Sequence, residues 1–598
     1  DVTMVGVATI STSANNSDIS ISTPAGGTND IVLANVIAGT GTINVDAGGS
    51  INGDPSDVAH ATATTLNLIS ATGVGTSHPL LTSVSNLSAN GGNGGIDIEN
   101  EGALTIVGNA AVTGDADDGA VASAGDISIV AASPLTVASN VTTAGDIVLE
   151  AGDTATPNVD NLTVNNGVTV QSTGGDVALR AGDLADLVAG STVSASGSLT
   201  ITGGFDDAGD NGAVTINTAS LTSGSVASVE GGSGDDTITI NAAPTAGLSL
   251  RGRAGDDNYI IALDAAASGT ISINELSDSG ADVASLTATA NEDSIAVSSS
   301  QTTLTDGVTV SYDNGVETVN VQGGASDDEY TISLGSGNRT VTLQDSAGAE
   351  DDVIVNGTAD ADTIGISGTQ ISSGNEIFTI GADFDDVEVN AGAGSDTITV
   401  TPTSNFPITV NGDAPTTAPG DTLTVDLSSA TIDTGNSDLV GPDGDVEFIS
   451  GEETVTYTGI ETLGNAPTLS VPGPQEVDED NNLLFSSNDN PIVLSDADSS
   501  SITVTLTVTQ GTLTLSQVTG LTFNSGTANG DSTLDVTGST ANLNAALNGM
   551  NYLPDANFNG PDTLTASATD AEGFMTASNS TVSITVVPVN DAPVNILP

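Results

Sequence analysis

The 598-residue chain carries 77 acidic residues against 4 basic ones, all arginines (Arg180, Arg251, Arg253, Arg339), for a formal charge of −73. Without clustered Lys and Arg it is unsuited to nucleic acid or to an anionic membrane surface, and with no lysine it cannot form Lys–Asn isopeptide crosslinks. Cysteine is absent and no run of 18 apolar residues occurs, so neither a disulfide nor membrane insertion is expected.

Such charge alone would suggest disorder. Val, Ile and Leu nevertheless alternate with Thr and Ser through most of the chain, which is the pattern of half-buried strands. The expected class is all-β: parallel β-solenoid regions followed by an immunoglobulin- or cadherin-like β-sandwich. The chain opens at Asp1 without a basic, apolar leader and reads as a mature product or a segment of something longer.

Residues 1–225 repeat a short cassette in which a turn pair precedes apolar–polar–apolar. Examples are Asp30-Ile31-Val32-Leu33, Gly125-Asp126-Ile127-Ser128-Ile129, Gly145-Asp146-Ile147-Val148-Leu149, Gly175-Asp176-Val177-Ala178-Leu179 and Gly197-Ser198-Leu199-Thr200-Ile201. Ile127 and Ile147 are 20 residues apart, and Val177 and Leu199 are 22 apart; the 30 between Ile147 and Val177 holds a loop insertion at 153–161. About 20 residues is one turn of a right-handed parallel β-helix, whose coils bury their inward side chains only by stacking. The region resembles the β-helical shaft of filamentous-haemagglutinin-type adhesins, without the N-P-N-G-I-type motif of that family's secretion domain.

Residues 226–464 are organised around Gly231-Gly232-Ser233-Gly234-Asp235-Asp236-Thr237-Ile238-Thr239. This stretch fits the G-G-x-G-x-D-x-U-x nonapeptide of calcium-binding parallel β-rolls. Degraded copies pair Asp257 with Tyr259, Asp293 with Ile295, Asp328 with Tyr330, Asp362 with Ile364 and Asp396 with Ile398. From Asp236 onward the aspartates are 21, 36, 35, 34 and 34 residues apart. If the longer spacing is one coil, the carboxylates stack at about 4.8 Å. Two unit charges there repel by roughly 0.9 kcal/mol in water and roughly 3.5 at an effective dielectric of 20, and a bridging Ca²⁺ removes that cost. The resemblance thus marks Asp236, Asp257, Asp293, Asp328, Asp362 and Asp396 as metal ligands. Two alternatives stay open: Asp and Gly as plain turn formers, and two β-sandwiches of about 110 residues in place of a solenoid.

Residues 465–590 hold about seven strand runs and one short helix at 541–549, capped by Ser539 or Thr540, with Leu543 and Leu547 on one face. Val589-Asn590-Asp591-Ala592-Pro593 and Asn548-Gly549-Met550-Asn551-Tyr552-Leu553-Pro554 make the segment resemble the cadherin-like, immunoglobulin-type repeat of giant bacterial surface proteins. That resemblance implies Ca²⁺ ligands at Glu479, Asp496, Asp498, Asp570, Glu572 and Asp591, near the junction after residue 590. Residues 591–598 read as the start of a further repeat or as a donated strand.

Catalysis has little support: His60 and His78 lie in a loop-like stretch without a paired nucleophile and are expected at the surface. The expected function is that of a non-enzymatic, calcium-stabilised structural or adhesive protein of a bacterial cell surface, self-associating into an extracellular filament or layer. The competing class is a carbohydrate-binding or carbohydrate-cleaving module on a β-helix, with surface polysaccharide as its partner. Exposed Trp and Tyr beside paired carboxylates would favour that class; the chain has no Trp and 5 Tyr.

Overall fold

The computed structural model describes residues 2–590, apart from internal stretches of which 206–211, 414–419, 431–442 and 572–579 are the longest. Two compact units make up the chain: Asp1–Val353 with Asn375–Phe384, and Ile354–Gly374 with Asp385–Pro598. Among the described residues no helix is long and apolar enough to cross a membrane.

In the first unit the cassettes fall into parallel register. Ile127 faces Ile147, Ile147 faces Val177, and Val177 faces Leu199. Between residues 96 and 223 each coil supplies three short strands, such as Ile147–Ala151, Leu162–Val164 and Thr169–Ser172. Strict alternation of buried and half-exposed positions in these strands turns every second side chain inward. Inward side chains therefore stack on their counterparts one coil away. One such column runs Leu104, Leu135, Leu162, Ala185, Val214, Ile238, Tyr259, Ala284, Val319, Val341, Phe378, every member buried. The small Ala284 beside the large Tyr259 shows how column volume is conserved.

That column passes through residue 225 without interruption, so within the first unit the parallel solenoid continues beyond 225 rather than giving way to a β-sandwich. What changes is the coil, which drops from three parallel strands to two over residues 227–287 and then gains excursions. In the first unit Ser294–Ser298, Gln301–Leu304 and Thr309–Tyr312 pair antiparallel, and the third strand then rejoins the parallel ladder through Ile271 and Val310. In the second unit Thr363–Ser367 and Gln370–Ser373 make a similar antiparallel excursion. Parallel stacking there runs Ile364, Ile398, Leu423 and Val387, Ile408, Val455.

The rest of the second unit is a β-sandwich. A six-stranded sheet includes Gln475–Asp478 parallel to Ser580–Val587, with Gly560–Asp570, Ile502–Thr507, Thr533–Gly538 and Leu521–Phe523 following antiparallel. A three-stranded sheet of Leu483–Phe485, Met550–Pro554 and Gly511–Thr514 covers the core of Phe485, Leu506, Leu534, Met550 and Ile584. The helix forms at Thr540–Leu547, with the Ser539 side chain accepting the Asn542 N–H and with Leu543, Ala546 and Leu547 buried.

Candidate metal centre

Every aspartate of the repeat sits at the entrance of a parallel strand, and the ladder geometry decides what its carboxylate meets. Asp236 N–H donates to Asp257 Oδ1 (2.8 Å), and Asp257 N–H to Asp282 Oδ1 (2.8 Å). On another strand column, Asp293 N–H donates to Asp328 Oδ1 (2.7 Å) and Asp328 N–H to Asp351 Oδ1 (2.8 Å). In the second unit Asp362 N–H donates to Asp396 Oδ1 (2.7 Å) and Asp396 N–H to Asp421 Oδ1 (2.8 Å).

The six aspartates therefore do not form one series stacked at the 34–36 spacing. Asp257 is followed by Asp282 rather than Asp293, and Asp328 by Asp351 rather than Asp362. The antiparallel excursions lengthen the sequence without adding a parallel step, which is why a uniform interval misleads.

The six aspartates fall into two chemical classes. Asp236, Asp293 and Asp362 are satisfied within their own turns. Asp236 Oδ2 accepts Gly232 N–H (2.5 Å), Asp293 Oδ2 accepts Thr289 N–H and Oγ1–H (both 2.8 Å), and Asp362 Oδ2 accepts the same groups of Thr358 (2.6 and 3.0 Å). Asp257, Asp328 and Asp396 are at most 2% exposed, and the Oδ2 atom of each is buried with no hydrogen-bond partner. A buried, unpaired carboxylate oxygen is costly. Burial pushes Asp257 up to about 7 and Asp328 up to about 7, and pushes Asp396 in the same direction.

Two of these three aspartates belong to buried acid triads. Asp257 with Glu275 and Asp282, and Asp328 with Asp345 and Asp351, each bring one oxygen per residue within 4.8 Å of the others, all six residues being buried. At that separation each charged pair repels by at least about 3.5 kcal/mol at an effective dielectric of 20. Full ionisation is therefore untenable without a cation.

The two triads share a construction. Tyr259 and Tyr330 stand two residues after Asp257 and Asp328, where the other repeats carry Ile238, Ile295, Ile364 and Ile398. The Tyr259 hydroxyl donates to Glu275 Oε1, and the Tyr330 hydroxyl to Asp345 Oδ2 (3.0 Å). Burial, reinforced by those carboxylates, pushes both phenols well above their usual range. Glycine makes the room. A Cβ on Gly323 would lie 2.5 Å from Asp328 Oδ2, and one on Gly252 would lie 2.6 Å from Asp257 Cβ and closer still to its carboxylate.

Elsewhere the same residue type does something simpler. Asp126 Oδ1 accepts Asp146 N–H (2.9 Å), Asp146 Oδ1 accepts Asp176 N–H (2.8 Å), and Asp176 Oδ1 accepts Ser198 N–H (2.7 Å), all at exposed positions. Water can solvate what remains of these carboxylates, so plain turn chemistry accounts for them.

The sandwich acids are spread out. Glu479 accepts Val589 N–H (2.7 Å), at the end of the sheet where Asp478 faces Val587 and Gly560 faces Val586. Asp570 ends the same Gly560–Asp570 strand, ten residues or roughly 33 Å away. Asp496 belongs to that far end, since Ser499 bonds both Asp496 Oδ1 (2.7 Å) and Ala571 N–H (3.2 Å). The structure thus does not bring Glu479 together with Asp496 and Asp570. Asp498, Glu572 and Asp591 lie outside the described residues.

Of the histidines, His78 is exposed but His60 is only 1% exposed, against expectation. Its Nδ1 accepts Leu81 N–H (3.0 Å) while Nε2 pairs with Asp54 O (2.9 Å), so it joins neighbouring coils.

No protein-family model matches the sequence, and no curated protein matches it either. Sequence reasoning missed Glu275, Asp282, Asp345, Asp351 and Asp421. The available signal was tyrosine in place of isoleucine at 259 and 330.

Proposed function

We propose that the chain is a calcium-stabilised structural or adhesive protein of a bacterial cell surface, self-associating into an extracellular fibre or layer, and that it is not an enzyme. The observation that carries this reading is the burial of stacked carboxylates with orphaned oxygens at Asp257, Asp328 and Asp396 inside a parallel solenoid. Hard carboxylate oxygens held at buried positions suit Ca²⁺, and a fold that completes itself with extracellular calcium suits a load-bearing surface role. The test is thermal unfolding with Ca²⁺ and with chelator, followed by light scattering and electron microscopy of assembly under both conditions. Identical melting and identical assembly in the two conditions would overturn it.

One groove favours the carbohydrate reading as a second possibility. It measures about 750 Å³ and holds Arg180, stacked at 4.8 Å over Phe205, together with Arg253 and Thr202. Against a platform of exposed rings stands the burial of all five tyrosines, Tyr259, Tyr312, Tyr330, Tyr457 and Tyr552. Affinity electrophoresis against acidic and neutral polysaccharides, with Arg180→Gln for comparison, decides between the readings.

A further inference from the structure

We propose that Asp257–Glu275–Asp282 and Asp328–Asp345–Asp351 are two copies of one enclosed Ca²⁺ site, in which the turn aspartate is joined by a bridging acid from outside the glycine–aspartate turn and a tyrosine hydroxyl orients that acid. This inference deepens the calcium reading above and rests on it.

Acid clusters are common on so acidic a protein, so the argument stands on what sets these two apart. First, Asp257 and Asp328 are each 2% exposed, and the unpartnered Oδ2 of each lies against Gly252 or Gly323, the glycine that the bridging acid stands over. Their other oxygen is already occupied by the Asp236 or Asp293 amide, which fixes the carboxylate plane. Second, the third acid comes from a different place in the coil. Glu275 lies beyond the strand Thr270–Ile273, and its carboxylate accepts the N–H of Gly252, the turn glycine of the coil before (2.5 Å). Asp345 directly follows the strand Thr340–Gln344, which pairs with Val316–Gln322, and Gly323 directly follows that neighbour. An acid thus enters each cluster over the space that a glycine leaves open. Third, tyrosine replaces isoleucine only in the two turns that have this bridging acid.

The third ladder shows the construction failing. Asp396 and Asp421 stack in the same way, but the strands Asp386–Asn390 and Ile408–Asn411 are followed by Ala391 and Gly412, and position 398 is isoleucine. Bridging acid and tyrosine are present together or missing together. That is expected if the phenol serves the acid rather than the core.

Three carboxylates from two successive coils offer charge and oxygen ligands to a hard divalent ion. The competing occupant is a proton shared between acids, which would neutralise part of the charge without any metal.

The experiment uses the full chain, stripped with chelator and titrated with Tb³⁺ as a luminescent stand-in for Ca²⁺. With no Trp and 5 Tyr, sensitised emission reports tyrosine beside the ion. Saturable emission that Ca²⁺ displaces is expected, falling by about half in Glu275→Gln and in Asp345→Asn and to background in the double variant. Tyr259→Phe and Tyr330→Phe should each lose about half the emission, with ion binding at the altered site weakened by about 10–100-fold in calorimetry rather than abolished. Asp256→Asn, on the exposed outer row, should match wild type. Far-ultraviolet circular dichroism confirms that each variant is folded. Emission unchanged in the double variant, or no emission from wild type, overturns the inference. If Ca²⁺ still raises the melting temperature of the folded double variant as much as that of wild type, calcium binds elsewhere: the two sites fall and the calcium-stabilised scaffold stands. If Ca²⁺ leaves wild-type melting unmoved, the scaffold reading falls as well.

Discussion

Gly252→Ala isolates the physical reason for a turn glycine. The new Cβ would sit 2.6 Å from Asp257 Cβ and closer to its Cγ and Oδ2. The carboxylate has little freedom to withdraw, because Oδ1 holds the Asp236 amide at 2.8 Å. Clearing the overlap forces Asp257 off its rotamer, at about 0.5–1.5 kcal/mol. It also breaks a buried hydrogen bond, at about 1–3 kcal/mol for the unpaired group. Gly252 is not in the left-handed region, so alanine adds no backbone strain and recovers about 0.4–1 kcal/mol by restricting the unfolded chain. The net expected loss is about 0.5–4 kcal/mol. Gly152→Ala is the matched control: its nearest atom is 3.4 Å away, an ordinary contact, so it should be neutral or slightly stabilising. Stacked coils unfold as coupled neighbours, so denaturation midpoints are the appropriate comparison rather than a two-state free energy. Hydrogen exchange of peptides spanning 248–262 locates the effect. If Gly252→Ala melts with Gly152→Ala and wild type, the glycine serves the turn and not the carboxylate.

Three further outcomes are expected. Ile398→Asp should lower the melting midpoint sharply, by several kcal/mol equivalent for an unpaired buried charge, while Thr397→Asp at an exposed strand position stays within about half a kcal/mol; equal melts would mean that the register is wrong. In chelator, Asp257 and Asp328 titrate near 7 when folded against 3.8 when unfolded, so the unfolded chain sheds these protons first and the first unit loses stability as pH rises from about 4 to about 7; midpoints at pH 5 and pH 8 without metal check the sign. The sandwich should show the opposite slope, because hydrogen bonds from Thr509, Tyr552 and Thr563 outweigh burial and hold Asp562 below its usual range, a contribution lost as pH falls; Asp562→Asn should remove that acid sensitivity and lower the midpoint at neutral pH, followed through the near-ultraviolet signal of Tyr552.

The parallel fold was legible because it rests on local signals. Ile127, Ile147, Val177 and Leu199 each open an alternating strand after a turn pair, and the structure places them in one column. Ser539 capping a helix over Leu543 and Leu547 is local in the same sense. The carboxylate ladders were legible only in part, since their partners are set by register across coils and not by distance along the chain. The excursion through Gln301–Leu304 shifts the spacing and leaves Asp293 and Asp328 stacked at 35 residues, while Asp257 and Asp282 stack at 25.

Glu275 and Asp345 were invisible for a related reason. Neither lies in a G-G-x-G-x-D turn, and each has meaning only through the glycine it stands over, Gly252 or Gly323. The same vertical relation accounts for where the pattern stops. A Cβ at Gly412 would lie 2.8 Å from Asp421 Oδ2 and nearer still to Gly459 O, so the third ladder has no room for an acid at its bridging position. With no acid to orient, a phenol at position 398 would bury its hydroxyl without that partner, and burying an unpaired hydroxyl costs more than burying an isoleucine gains. Isoleucine at 398 and tyrosine at 259 and 330 are then one rule read in three places: the core side chain is chosen by what stands over the turn, one coil on.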